Sequence, residues 1–168
     1  MSRFPSDDPI QQIVRQILAQ FKGEYEHAID GKGRVSFPAR LRKYVNPQTQ
    51  GRFTIVQGLG SERCLLLYPE DKWKEVEQKL SAINVFDRKG RKVLRNFLRS
   101  AEDITLDGHH RLAIPPKLKS WANIDSRVIF IGTGEQIELW APDELAAEDE
   151  SLEDEDYNEL FEQVLGNE

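Results

Sequence analysis

The segment IDGKGRVSFP, beginning at Ile29, returns seventy-seven residues later as LDGHHRLAIP, beginning at Leu106. Both copies place Asp first, Arg four positions on, then an apolar pair at alternate positions and a closing Pro. The likeness runs beyond the motif. Tyr25, His27 and Ile29 alternate ahead of the first turn, Val35 and Phe37 alternate after it, and Pro38 opens the short helix PARLRKYV. FTIV and CLLLY then read as strands separated by the turn-rich QGLGSER. The second copy keeps this order with EDITL, the turn DGHH, RLAI, the helix PPKLKSWA, and the strands RVIFIG and IELWAP.

The repeat is too long for a solenoid unit and occurs only twice. Four short strands cannot bury both faces of a sheet, whereas two such sets can close on each other into one barrel with a pseudo-twofold axis and leave few exposed edges. The expected fold is mostly β with short helices (α+β), built from two tandem β-turn-β-α-β-β repeats. Between the copies, PEDKWKEVEQKLSAI sets Trp73, Val76, Leu80 and Ile83 on one helical stripe. DRKGRKVLRNFLRS sets Val93, Leu94, Phe97 and Leu98 on another, with six Lys or Arg around them. Ahead of the repeats, Ser6 to Phe21 read as a helix with Ile10, Ile13, Val14, Ile17, Leu18 and Phe21 on one face. The chain thus divides into an N-terminal helical extension (1–22), a first repeat (24–71), a helical hairpin (72–99), a second repeat (100–143) and an acidic tail (144–168). The tail is expected to begin with a helix through Leu145 and to carry Leu160, Phe161, Val164 and Leu165 further on.

The turns have mechanical reasons for their residues. Asp-Gly favours a tight reversal, and Gly31 and Gly33 tolerate positive φ. Asp30 and Arg34 flank the reversal and can meet as an ion pair, as can Asp107 and Arg111; exposed pairs of this kind are common and worth little. The alternative use of the arginines is contact with a ligand, and the neighbouring residues favour it. Lys32 stands at the first apex, with Arg40, Arg42 and Lys43 in the next helix; His109, His110, Lys117 and Lys119 hold matching places in the second copy. A barrel projecting two basic loops on one side suits phosphates and guanine edges.

The net charge of −6 averages two unlike parts. Residues 141–168 hold twelve Asp or Glu and no Lys or Arg, so residues 1–140 carry +6. This asymmetry suggests a basic working surface with an acidic tail. The tail is expected to compete with DNA phosphates for Lys32, Arg34, Arg42 and Lys43, or else to be a solubilising segment or a short oligomer-contact helix.

Other classes fit poorly. There is no phosphate-binding Gly-x-x-x-x-Gly-Lys loop and no serine elbow, so no enzyme and no small-molecule substrate are expected. His109 and His110 offer half a metal site, with Cys64 and His27 far off in sequence; no metal and no cofactor are expected. A single cysteine excludes an internal disulfide, the first residues lack the apolar run of a signal peptide, and no membrane span is in evidence; the cytoplasm is the default. A protein-interaction module using the apolar stripes of the N-terminal helix and the Trp73 helix as oligomer contacts is a rival reading, although core packing is the commoner fate of such stripes.

Taken together, FKGEYEHAIDGKGRVSFPARLR, CLLLYPEDKWKEVEQKL, DGHHRLAIPPKL and IELWAPDEL closely resemble the MraZ family, bacterial transcriptional regulators with two tandem SpoVT-AbrB-type domains. The resemblance covers about Phe21 to Glu144. It implies an AbrB-like swapped-hairpin barrel, assembly of copies into a ring, and binding of double-stranded DNA through the motif loops. It also implies regulation of the division and cell-wall gene cluster through short direct repeats in its promoter, with the protein associated with the nucleoid. The motif falls on Asp30, Lys32 and Arg34, and on Asp107 and Arg111. The sequence departs from the family pattern in the residues ahead of Phe21, in the histidines of the second loop and in the weight of acid at the end. An AbrB-like antitoxin is a variant of the same reading, although such proteins usually carry one copy of the motif.

Overall fold

Tyr25, His27 and Ile29 are half-buried while Glu24, Glu26 and Ala28 between them are exposed, the period-two pattern of a strand with one face on a core. In the computed structural model, which describes Pro9 and residues 20–152 and 154–166, this stretch is β1 (Phe21–Ala28). The helix expected over Ser6 to Phe21 lies outside the described residues apart from Pro9, Gln20 and Phe21. Its last residue, Phe21, belongs instead to β1 and is buried.

The turn at 30–33 leads to β2 (Arg34–Ser36), a one-turn helix α1 (Ala39–Arg42), a 3-10 turn (Pro47–Thr49), then β3 (Arg52–Gln57) and β4 (Leu65–Pro69). The helical hairpin is α2 (Glu70–Ser81) and α3 (Arg88–Leu98). The second repeat runs through β5 (Glu102–Thr105), β6 (Arg111–Ala113), α4 (Pro116–Trp121), β7 (Arg127–Gly134) and β8 (Ile137–Trp140). Two helices follow, α5 (Pro142–Glu150) and α6 (Asp154–Leu165).

The strands form an antiparallel six-stranded sheet, ordered β1-β7-β8-β4-β3-β5, and a two-stranded ribbon, β2-β6. Strands of the two repeats interleave. Each repeat's first strand pairs with the other's third (β1 with β7, β5 with β3), the second strands pair as the ribbon, and the fourth strands pair at the sheet centre. Four of the six ladders therefore join one repeat to the other. An isolated bridge between Ile29 and Val35 ties the ribbon to the end of β1.

The continuous apolar run in CLLLY is explained by burial on both sheet faces. Leu65 and Leu67 join Phe53, Ile55, Val128, Phe130, Ile137 and Leu139 in a core closed by Val35, Phe37, Leu112 and Ile114 from the ribbon. Leu66 and Tyr68 face the other way, into a second core with Val56, Trp73, Trp140 and Leu145. The ribbon thus covers one face of the sheet and the helical layer covers the other.

The hairpin stripes are only partly used. Trp73 is buried and Phe97 stacks on it with ring centroids 5.9 Å apart. In α3, however, no residue is fully buried, and Val93 and Leu98 are 54% and 42% exposed. The reason is position: α3 reaches the second core through Phe97, at its rim. Among the described residues, no helix is long and apolar enough to cross a membrane.

Candidate nucleic-acid interface

A carboxylate has two oxygens, and the motif uses both. Oδ1 of Asp30 accepts the backbone N–H groups of Lys32 and Arg34, each at 2.9 Å, and Oδ2 accepts Nε–H of Arg34 at 3.0 Å. The backbone closes the same loop, with Asp30 N–H donating to the Arg34 carbonyl and Gly33 N–H to the Asp30 carbonyl. Asp107 repeats this geometry: Oδ1 takes the N–H groups of His109 and Arg111, and Oδ2 takes Nε of Arg111 at 2.8 Å. These bonds favour the ionised form. The Arg111 backbone N–H, foremost, together with that of His109 and the guanidinium, holds the Asp107 carboxyl down at about 2, and the same arrangement lowers Asp30. The spacing Asp-x-x-x-Arg is thus what one carboxylate needs to staple a turn and orient an arginine at once.

The ion pair and the ligand-contact readings of the arginine are therefore compatible. Each pair uses Nε, so the terminal Nη1 and Nη2 of Arg34 and Arg111 carry no hydrogen bond to any described residue. The two side chains are 30% and 29% exposed.

Ribbon register brings the arginines together. Arg34 lies opposite Ala113, Val35 opposite Leu112, and Ser36 opposite Arg111. Val35 and Leu112 point into the core, so Arg34, Ser36, Arg111 and Ala113 share the outer face. Arg34 and Arg111 are diagonal neighbours on it, about 7–8 Å apart at that register. Reciprocal hydrogen bonds link each turn to the other strand's end: Phe37 N–H to the His110 carbonyl at 2.9 Å, and Ile114 N–H to the Gly33 carbonyl at 3.4 Å.

Positive φ falls at Gly33 (76°) and, in the second copy, at His110 (56°). Gly31, which would tolerate the same conformation, does not use it, since the reversal turns on the residue before the arginine. Lys32, Arg40, Lys43, His109, His110 and Lys117 are exposed, and Arg42 and Lys119 are half-buried. Arg42 belongs in space with the second loop: it shares a groove of about 340 Å³ with Leu106, Asp107 and His110. Sequence proximity had assigned it to the first loop; interleaving moves it across.

Two further groups deserve their places. His27 joins sheet to ribbon, with Nδ1 2.7 Å from the Ser36 carbonyl and its ring against Phe130. Glu62, Cys64 and Glu138 converge within 4.8 Å, which their sequence spacing did not suggest. Burial, with the nearby carboxylates, pushes the Cys64 thiol up to about 12.

The family model described as MraZ protein matches residues 20–96 and again 97–165. A transcriptional regulator MraZ of Alkaliphilus metalliredigens is 39% identical over 124 residues, 74% of this chain and 82% of that protein. One of Syntrophomonas wolfei is 32% identical over 86% of this chain and 96% of its own length, and one of Shewanella oneidensis is 38% identical over 71% and 78%. The solution structure of PHS018 from Pyrococcus horikoshii is similar at a TM-score of 0.30 and 17% identity, covering 71% of this chain and 87% of that one, a likeness too weak to carry an argument.

Proposed function

The chain belongs to the MraZ family, whose matched relatives are named transcriptional regulators rather than enzymes, and from that premise we propose that it binds double-stranded DNA sequence-specifically through the outer face of the β2-β6 ribbon. The observation that carries this reading is the diagonal pair Arg34 and Arg111, each held through Nε with its two Nη groups left over. A guanidinium so fixed has the fork geometry for two acceptors on a guanine edge or a phosphate, with little side-chain entropy left to lose. Lys32, Arg40, Arg42, Lys43 and Lys117 supply the surrounding positive field for the backbone, and His109 and His110 supply further donors. Asp30 and Asp107 act as the structural half of the motif.

The finer reading is a swapped-hairpin, AbrB-like barrel from repeats spanning 24–71 and 100–143. Copies assemble into a ring that reads short direct repeats in the promoter of the division and cell-wall gene cluster, its own included, at the nucleoid in the cytoplasm. One ribbon offers a small contact surface, so tight binding calls for several copies acting on several boxes. Footprinting of the purified protein on the DNA upstream of its own gene tests this. Regularly spaced protected boxes are expected, and they should vanish with the double substitution Arg34→Ala, Arg111→Ala. Protection that survives that substitution would move the interface elsewhere.

A further inference from the structure

Helix α3, with Arg99 at its C-cap, sets Arg88, Arg91, Lys92, Arg95 and Arg99 around one open hollow of about 410 Å³, and none of the five pairs with a carboxylate among the described residues. Like charges three and four positions apart repel, so an anionic partner is favoured there. Asn96 lines this hollow and also the neighbouring groove of about 520 Å³, whose apolar wall includes Leu59, Val76, Leu80, Val93, Phe97 and Trp121. Leu59 and Val93 are 61% and 54% exposed. The surface therefore pairs an apolar trough with a cationic bank.

The chain carries a segment of matching chemistry. Helix α6 has five acids and no Lys or Arg between Asp154 and Leu165, and Tyr157, Leu160, Phe161, Val164 and Leu165 fall on one side of it at helical spacing. All five are exposed, so among the described residues nothing covers this stripe, and α6 does not occupy its own chain's groove. Duplex DNA fits the groove poorly, because the trough is apolar and α3 lies on the sheet face opposite the ribbon.

We propose that α6 of one copy docks in the α2-α3 groove of a second copy, its apolar stripe on Leu59, Val76, Val93 and Phe97 and its carboxylates along the arginines of α3. Groove and helix are different surfaces, so the contact is head-to-tail and each copy can both give and receive a helix, which propagates until it closes. The inference supplies a contact for the assembly proposed above and rests on that assembly; it is independent of DNA binding.

The test uses two full-length variants with substitutions at exposed positions. One carries Asp156→Lys, Glu159→Lys and Glu162→Lys; the other carries Arg88→Glu, Arg91→Glu and Arg95→Glu. Light scattering after gel filtration should give wild type at several times 19.4 kDa and each variant alone at a smaller mass. An equimolar mixture should recover the large particle, because each variant's helix then meets a groove of opposite charge. Recovery cannot come from a tail folded onto its own chain, and it also shows that both variants are folded. A large wild-type particle untouched by both reversals overturns the docking while leaving assembly standing. Smaller variants that mixing does not rescue also overturn it. A wild type that stays at 19.4 kDa at micromolar concentration overturns the assembly and the docking together. Dissociation only on removal of residues 1–19 would give the groove to that segment and overturn the inference equally.

Discussion

Phe37 donates its backbone N–H to the carbonyl of His110 at 2.9 Å, so the strand leaving one motif turn is anchored on the other turn's left-handed residue. His110 holds φ of 56° where the first copy has Gly33 at 76°. A side chain in that region is disfavoured by about 1–2 kcal/mol, offset in part by the greater flexibility of unfolded glycine. His110→Gly is therefore expected to stabilise the chain by about 0.5–1 kcal/mol, and Gly33→Ala to destabilise it by about 1 kcal/mol. Urea unfolding midpoints measure both; stabilisation by Gly33→Ala would show that the turn relaxes out of the left-handed region.

Arg34→Ala and Arg111→Ala should each weaken operator binding by about 1–3 kcal/mol per contact, amplified where several copies bind together. The two pairs have the same geometry, so both effects are expected, with the first loop contributing the steeper salt dependence because Lys32 stands where the second has His109. Fluorescence anisotropy against salt concentration separates them. A lowered melting temperature with unchanged DNA affinity would mark the arginines as turn staples alone.

Asp30→Asn divides orientation from charge. It removes the countercharge beside Arg34 and loosens the guanidinium at once. Binding to random-sequence DNA at low salt should tighten, since the loop becomes more positive, while operator binding should weaken. Parallel titrations on the two DNAs read the ratio, and a gain of equal size on both would remove orientation from the account.

Acid should act through the same carboxylates. The folded Asp107 sits at about 2, below the value of about 3.9 for an unfolded aspartate, so its turn contributes fully above that higher value and loses the contribution as pH falls through about 2. Asp30 shifts in the same direction. The melting-temperature gap between wild type and Asp107→Asn should be constant from pH 7 to about pH 5 and shrink below about pH 4. A gap independent of pH down to about 2 would assign it to geometry rather than charge.

Gly132→Ala probes the exchange of strands between repeats. Gly132 pairs with Gly23 in the β1-β7 ladder, and a Cβ there would meet the Lys22 backbone nitrogen at 2.3 Å. Backbone must move, at a cost of about 3 kcal/mol, the upper end of overpacking. Denaturant unfolding checks it; a loss below about 0.5 kcal/mol would mean the ladder is slack at that point.

The turn chemistry and element order were legible because each rests on local rules. Asp-Gly, the prolines ahead of α1 and α4, and the period-two strands all mean the same thing in any fold. Strand partners were not legible beyond the expectation that two halves close together. Pairing β1 with β7 rather than within its repeat depends on matching surfaces about 100 residues apart, and this moved Arg42 beside the second loop. The stripe of α3 was legible as a stripe, but spacing says which residues share a face and not whether anything covers it. Convergence of Glu62, Cys64 and Glu138 had no sequence signal, since β4 and β8 meet only through the sheet.

The interleaved ladders also set a timetable. During synthesis β1 emerges with its partner β7 still about 110 residues unmade, a wait of roughly 6–20 s at ordinary elongation rates. Through that interval the first repeat displays unpaired edges and the apolar faces of β3 and β4 to whatever is near. What is nearest, on a shared message, is another nascent first repeat presenting the same edges. Two such halves can pair with each other before either second half exists, so on a crowded message the first repeat of one chain competes for the partner that its own second repeat supplies later.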